Sequence, residues 1–113
     1  MSYKRIAIPT KGKKGLKDTV SEIFGRNKYF TIIELKNGSV EGVKVLDNPY
    51  MEYKHGTGPL VVKMLADQGI NVVISSEIGP GVSIILAEYK IELIKIKENT
   101  LVSEVLNSYE KKD

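Results

Sequence analysis

The chain has 113 residues, 42% hydrophobic and 27% charged, which is the length and balance of one globular domain able to bury roughly two-thirds of its unfolded surface. It contains no cysteine, and this excludes disulfides, thiolate nucleophiles and cysteine-held zinc or iron–sulfur centres within one chain. No apolar run approaches the ~18 residues that cross a bilayer, and Met1-Ser2-Tyr3-Lys4-Arg5 leads straight into a strand-like run without a signal peptide, so a cytoplasmic protein with no membrane partner is expected.

The net charge of +3 is local, because Lys11, Lys13, Lys14 and Lys17 share one glycine-containing loop and the other 13 basic groups nearly balance 14 acidic ones. Such a loop attracts an anion or a nucleic-acid backbone. Nucleic-acid binders spread their basic groups over a face, so nucleic acid is not the favoured partner.

In Tyr3-Lys4-Arg5-Ile6-Ala7-Ile8-Pro9, Ile6 and Ile8 share one face and Pro9 marks the end of a first strand. The lysine loop lacks periodicity, and Val20-Ser21-Glu22-Ile23-Phe24 predicts a short helical turn closed by Gly25, with Ile23 and Phe24 plugging the core. Tyr29 to Leu35 is aromatic and β-branched, and Asn37-Gly38 signals a hairpin into a third strand over Val40 to Leu46. The period then changes to 3.6. Leu60, Val61, Met64 and Leu65 make one stripe of a helix that has Pro59 at its first position and Gly69 as its stop.

Asn71 to Ser75 reads as a buried parallel strand. A helix from Pro80 to Tyr89 follows, with Val82, Ile85, Leu86 and Tyr89 inward, and Ile91 to Ile96 is the last strand. Asn99 or Thr100 caps a final helix whose buried stripe is Leu101, Val102, Val105, Leu106 and Tyr109. One domain over residues 1–110 is expected, with a frayed tail at 111–113. The order strand, strand, strand, helix, strand, helix, strand, helix, with right-handed parallel crossovers, predicts an α/β three-layer fold. Its five-stranded mixed sheet has the order 3-2-1-4-5, the ribonuclease-H-like arrangement.

A nuclease of this arrangement needs several carboxylates at the sheet centre for two Mg²⁺ ions. Only Asp47 and Glu77 lie near useful strand ends, and both suit turns. Ser75, Ser76 and Ser83 lack a nucleophile-elbow sequence, and Gly79-Pro80-Gly81 matches no nucleotide-binding motif, so no enzyme signature is present. The only histidine, His55, lies in His-Gly-Thr-Gly-Pro, where Gly56 and Gly58 allow close backbone approach to a ligand. Gly79 and Gly81 likewise leave bare backbone at a helix start, which favours an anion. The connection over residues 48–58 is long and poor in apolar anchors, so it and residues 11–17 are expected to be the most mobile internal segments, with His55 accessible to solvent.

Ile6-Ala7-Ile8-Pro9, Val20-Ser21-Glu22-Ile23-Phe24-Gly25-Arg26 with Tyr29-Phe30, Asn48-Pro49, His55-Gly56 through Gly58, Gly69-Ile70 with Val72-Val73-Ile74, and Ile78-Gly79 through Gly81 together resemble the dinitrogenase iron-molybdenum cofactor biosynthesis family. The NifX protein, the NafY core and the NifB carboxy-terminal domain belong to it. The resemblance covers nearly the whole chain, and its most specific part is Ser-x-x-Phe-Gly-Arg. It implies a ribonuclease-H-like fold without nuclease activity and transient, non-enzymatic carriage of an iron–sulfur or iron–molybdenum cluster or precursor, exchanged with a donor or acceptor protein. By the same resemblance His55 matches a metal-contacting histidine, and Phe24-Gly25-Arg26 and Gly79 to Gly81 border the crevice, with Arg26 able to pair with an anionic cluster. The missing cysteine departs from members that use thiolate. An anion- or nucleic-acid-binding interaction module without metal, built on the lysine loop and the helix starts, is the alternative.

Overall fold

The computed structural model describes residues 2–110. Strands β1 (Tyr3–Thr10), β2 (Tyr29–Lys36) and β3 (Ser39–Asp47) form an antiparallel meander, after which α1 (Thr57–Asp67), β4 (Val72–Ser75), α2 (Pro80–Glu88), β5 (Glu92–Lys95) and α3 (Val102–Glu110) follow in turn. The five strands lie in one sheet, ordered β3-β2-β1-β4-β5, with β4 parallel to both β1 and β5. This is the predicted order, and the Asn37-Gly38 turn closes the β2–β3 hairpin with positive φ at both residues, 53° and 83°. The expected tail at 111–113 lies outside the described residues.

Alternation along the strands divides the core into two layers. Ile6, Ile8, Ile33, Leu35, Val72 and Ile74 meet Val102, Val105, Leu106 and Tyr109 of α3. On the other face Ala7, Phe30, Ile32 and Val73 meet Val61, Val62 and Leu65 of α1 and Leu86 of α2. At about 1.5–3 kcal/mol per fully buried large aliphatic side chain, these layers dominate the stability of the fold.

Several local expectations change. Residues 20–24 form no helical turn: Val20 bridges to Thr10, donates its N–H to Thr100 O at 2.9 Å and accepts that of Asn99 at 2.9 Å. The segment therefore crosses the end of the sheet, with Val20 buried on the α3 side and Phe24 on the α1/α2 side, while Ile23 stays 47% exposed. The short helical piece lies earlier, a 3₁₀ turn at Gly15–Lys17. Helix α1 starts at Thr57, so Pro59 is its third residue, still within the first turn where a missing N–H leaves no ladder bond unmade. Thr100 does not cap α3 with its hydroxyl, which donates to Lys97 O, and the Asn99 side chain meets the Lys11 ammonium. Tyr89 and Leu101, expected inside, are 46% and 38% exposed.

Beyond the hairpin, β1 and β2 are joined by a cross-strand ion pair. Arg5 donates to Glu34 Oε1 from Nε at 3.1 Å and from Nη2 at 2.7 Å. The hydrogen bonds from Arg5 hold the Glu34 carboxyl below the usual carboxylate range. A depressed folded pKa contributes stability that is present above the unfolded value and lost as pH falls through the folded one. Thermal midpoints of wild type and Glu34→Gln are therefore expected to differ at pH 7 and to converge in acid, once the pH has fallen through the depressed folded pKa of the carboxyl. A constant difference at both pH values would remove the pair from the account.

Candidate functional site

The segments that leave the carboxyl ends of β1 and β4 face each other across an open crevice of about 410 Å³, lined by residues 22–25 on one side and by residues 77–80 with Val82 on the other. This is where an α/β sheet places its ligands. The first turns of α1 and α2 meet beside it: a Cβ on Gly58 would stand 2.6 Å from Val82 Cγ2, so only glycine permits that approach. Gly25 packs on the same corner, its own Cβ position 3.1 Å from Thr57 Oγ1 and 3.4 Å from Gly58 N.

Neither helix start carries a side-chain cap. The ladder of α1 begins with Leu60 N–H on Gly56 O and that of α2 with Ser83 N–H on Gly79 O, which leaves the N–H groups of Thr57, Gly58, Gly81 and Val82 outside it. Gly56, at φ 75°, turns the chain into α1 with a conformation that L side chains rarely adopt. Gly79 and Gly81 have no atom within 4 Å of a Cβ position, so their surface is open to a ligand.

Residues 24–27 form a tight turn closed by Asn27 N–H on Phe24 O at 3.0 Å, and Phe24 anchors it edge-on against Phe30 at 5.4 Å between centroids. Two buried asparagines fix this turn. The Asn27 side-chain amide donates to Thr10 O and Tyr29 O, and that of Asn48 donates to Gly25 O at 2.9 Å and Asn27 O at 2.8 Å. The Asn48 side-chain oxygen accepts from Tyr50 N at 2.9 Å. Arg26 completes the connection, donating from Nη1 to Met51 O at 3.0 Å and from Nη2 to Lys54 O at 2.8 Å. The turn therefore holds the loop over residues 48–56 at its beginning and just before His55.

Gly25 and Gly79 line the crevice, Gly58 lies against Gly25 and Val82 beside it, and Gly81 is exposed and not among the lining residues. His55 and Gly56 are exposed on the neighbouring rim and His55 is not among the lining residues, which agrees with its expected accessibility. Arg26 is exposed too, but its guanidinium is engaged by loop carbonyls. Of the loop lysines, Lys11 meets Asn99, and Lys13 lies 3.9 Å from Asp47 and 5.2 Å from the Tyr29 ring centroid. Asp18, buried at the end of that loop, accepts the N–H groups of Gly12, Lys14 and Thr19. The Ser76 hydroxyl donates to Ser21 O and that of Ser83 to Pro80 O, whereas the buried Ser75 hydroxyl has no partner among the described residues and nothing in the structure explains it.

Glu22 and Ile23, which line the crevice, and Asn27, which holds its turn, were not singled out by sequence pattern. The glutamate and isoleucine look like ordinary polar and core positions until the segment is seen to cross the sheet end, and the Asn27 contacts to Thr10 and Tyr29 have no local signature. No group of three or more His, Cys, Asp or Glu among the described residues is placed to hold a metal ion, and no described helix is long and apolar enough to cross a membrane.

The strand order and crossovers define a small α/β domain of the ribonuclease-H-like arrangement. The chain belongs to the family described as dinitrogenase iron-molybdenum cofactor, whose model matches residues 4–112. It is similar to an uncharacterized protein of Methanocaldococcus jannaschii, MJ0580, with 26% identity over 86% of this chain and 78% of that one. Among solved structures, that of a Thermotoga protein named as a candidate NifB protein, TM1290, is 31% identical with a TM-score of 0.76, covering 96% of this chain and 88% of that one. The crystal structure of PH0822 has a TM-score of 0.81 at 26% identity, covering 96% and 92%. The apo orange protein of Desulfovibrio gigas has a TM-score of 0.84 at 24% identity over 96% and 88%, a likeness of fold.

Proposed function

We propose that this protein is a non-enzymatic carrier that transiently binds an iron–sulfur or iron–molybdenum-type cluster, or a precursor of one, as cargo at the crevice beside the two helix starts. Family membership supplies the class of cargo. The observation that carries the reading is the meeting of two helix N-termini without side-chain caps at an open crevice bounded by Gly25 and Gly79. Oriented N–H groups and two helix dipoles favour an anion there.

The donor chemistry suits cargo that must leave again. The chain offers one imidazole and no thiolate, so the cluster keeps its own sulfide and other ligands and is held by backbone N–H groups, with His55 on the neighbouring rim as its only imidazole donor. Arg26 positions the His55 loop, and Gly56 and Gly58 let the backbone come close. The alternative of a metal-free module on the lysine loop draws less support, because two of its four lysines already have partners within the chain.

Anaerobic incubation with a synthetic iron–sulfur cluster followed by gel filtration tests the carrier reading. Visible absorbance is expected to co-elute with wild type and to be retained roughly tenfold or more weakly by His55→Ala, since even a lost outer-shell partner of a metal ligand costs about 10–100-fold in affinity. Equal retention by His55→Ala would remove the histidine from the site, and absence of co-elution would end the carrier reading.

A further inference from the structure

Helix α2 is apolar on more than one side. Val82, Ile85 and Leu86 pack inward on the core shared with α1. Pro80, Ile84 and Ala87, at the i, i+4 and i+7 positions of the opposite side, are all exposed, with Ile84 at 60%. A helix that is apolar all round is ordinarily covered by something. This stripe begins at the mouth of the crevice, because Pro80 lines it, and Ile23 lines the facing wall at 47% exposure.

Carboxylates surround the same surface. Glu22 and Glu77 line the crevice and Glu88 extends the α2 stripe; all three are exposed and none has an ion-pair partner among the described residues. The loop lysines that give the chain its positive charge belong to the other side of β1's exit, where Lys13 meets Asp47 at the end of β3. An anionic cluster approaching unaided would thus meet two uncompensated carboxylates before reaching the helix starts.

We infer that the outer face of α2, with the crevice mouth beside it, is the docking surface for a protein that presents an apolar spot ringed by Lys and Arg. Apolar contact on Ile84 and Ile23 supplies adhesion, while the partner's basic groups neutralise Glu22 and Glu77 and so open the crevice to negatively charged cargo. This deepens the carrier reading and rests on it: the cargo passes directly between proteins and is not taken up from solution.

The probe is an amphipathic helical peptide of leucine and lysine, titrated into the ¹⁵N-labelled protein without any cluster, so that failure here and failure of cluster retention are separate results. Saturable amide shifts are expected at Ile23, Glu77 and residues 81–88, weakening as salt is raised. Ile84→Asp and the double variant Glu22→Lys/Glu77→Lys should each reduce affinity by about tenfold or more with the rest of the spectrum unchanged, as for truncation of a central contact. A leucine–glutamate peptide should leave the spectrum as it was. Equal binding of the acidic peptide, unchanged affinity in both variants, or shifts centred on β3 or on a second groove, on the outer side of α1 and lined by Tyr50, Leu60 and Met64, would overturn the inference. So would sedimentation of the protein as a dimer that Ile84→Asp dissociates, since the face would then belong to a second copy.

Discussion

Replacing Asn48 by leucine is expected to destabilise the protein by about 3–4 kcal/mol, because it leaves three backbone groups, one buried and two part-buried, without a partner at about 1–3 kcal/mol each. The Asn48 side chain is 5% exposed and serves three partners: it donates to Gly25 O and Asn27 O and accepts from Tyr50 N. Leucine has the same number and branching of side-chain heavy atoms, so the loss is chiefly one of hydrogen bonding, with some crowding from its bulkier methyl groups. At this chain length the thermal midpoint should fall by roughly 10–15 °C. Asn48→Asp keeps the acceptor for Tyr50 but sets a carboxylate against two carbonyl oxygens, so it should be at least as unstable at pH 7 and regain part of the loss when protonated. Equilibrium unfolding of the two variants checks this, and a loss under 1 kcal/mol for leucine would mean that water replaces the missing donors.

Gly58→Val is the second large effect. Alanine alone places a Cβ 2.6 Å from Val82 Cγ2, a short and β-branched side chain that cannot swing away as a lysine tip could. Helix propensity favours alanine by about 0.5–1 kcal/mol over glycine, against an overpacking penalty of about 1–3 kcal/mol. Gly58→Ala should therefore lose about 1–2 kcal/mol, and valine, with two further carbons at the same contact, about 3 kcal/mol or more. The starts of α1 and α2 would be pushed apart, and cluster retention should fall with them. Gly79→Ala and Gly81→Ala meet nothing within 4 Å and serve as controls, with stability unchanged or slightly raised. Equal effects at positions 58 and 81 would show that loss of glycine flexibility, and not the close approach of the helices, is responsible.

The frame of this fold was legible because it rests on local periodicity. Ile6 and Ile8, the Asn37-Gly38 turn, the 3.6-residue stripe through Leu60, Val61, Met64 and Leu65, and the apolar run Val72-Val73-Ile74 each carry their signal within a few residues, and order and handedness rules then arrange them. The segment over residues 20–24 carried no such signal. Its partners are Thr10, Asn99 and Thr100, distant in sequence, so the non-local bridge was hidden and a short apolar stretch beside Gly25 read as a helical turn. Leu101 and Tyr89 continue helical stripes in sequence, yet Tyr89 lies just past the end of α2 and Leu101 just before the start of α3, bridged to Thr19, and both are exposed. At the site, glycine positions and the family resemblance pointed to Gly25, Gly56, Gly58, Gly79 and Gly81, of which Gly25 and Gly79 line the crevice. Nothing local signalled that Arg26 serves two loop carbonyls, because a side chain with five donors does so as readily as it meets an anion and only geometry separates the two.

Paramagnetic line broadening in the ¹⁵N-labelled protein, loaded anaerobically with a synthetic paramagnetic iron–sulfur cluster, locates the cargo most directly. The account predicts that amide signals of residues 24–26, 55–58, 79, 81 and 82 broaden first and together, while those of β3 and of residues 11–17 persist. Broadening centred on the lysine loop, or spread evenly over the surface, would contradict the assignment of the crevice as the cargo site.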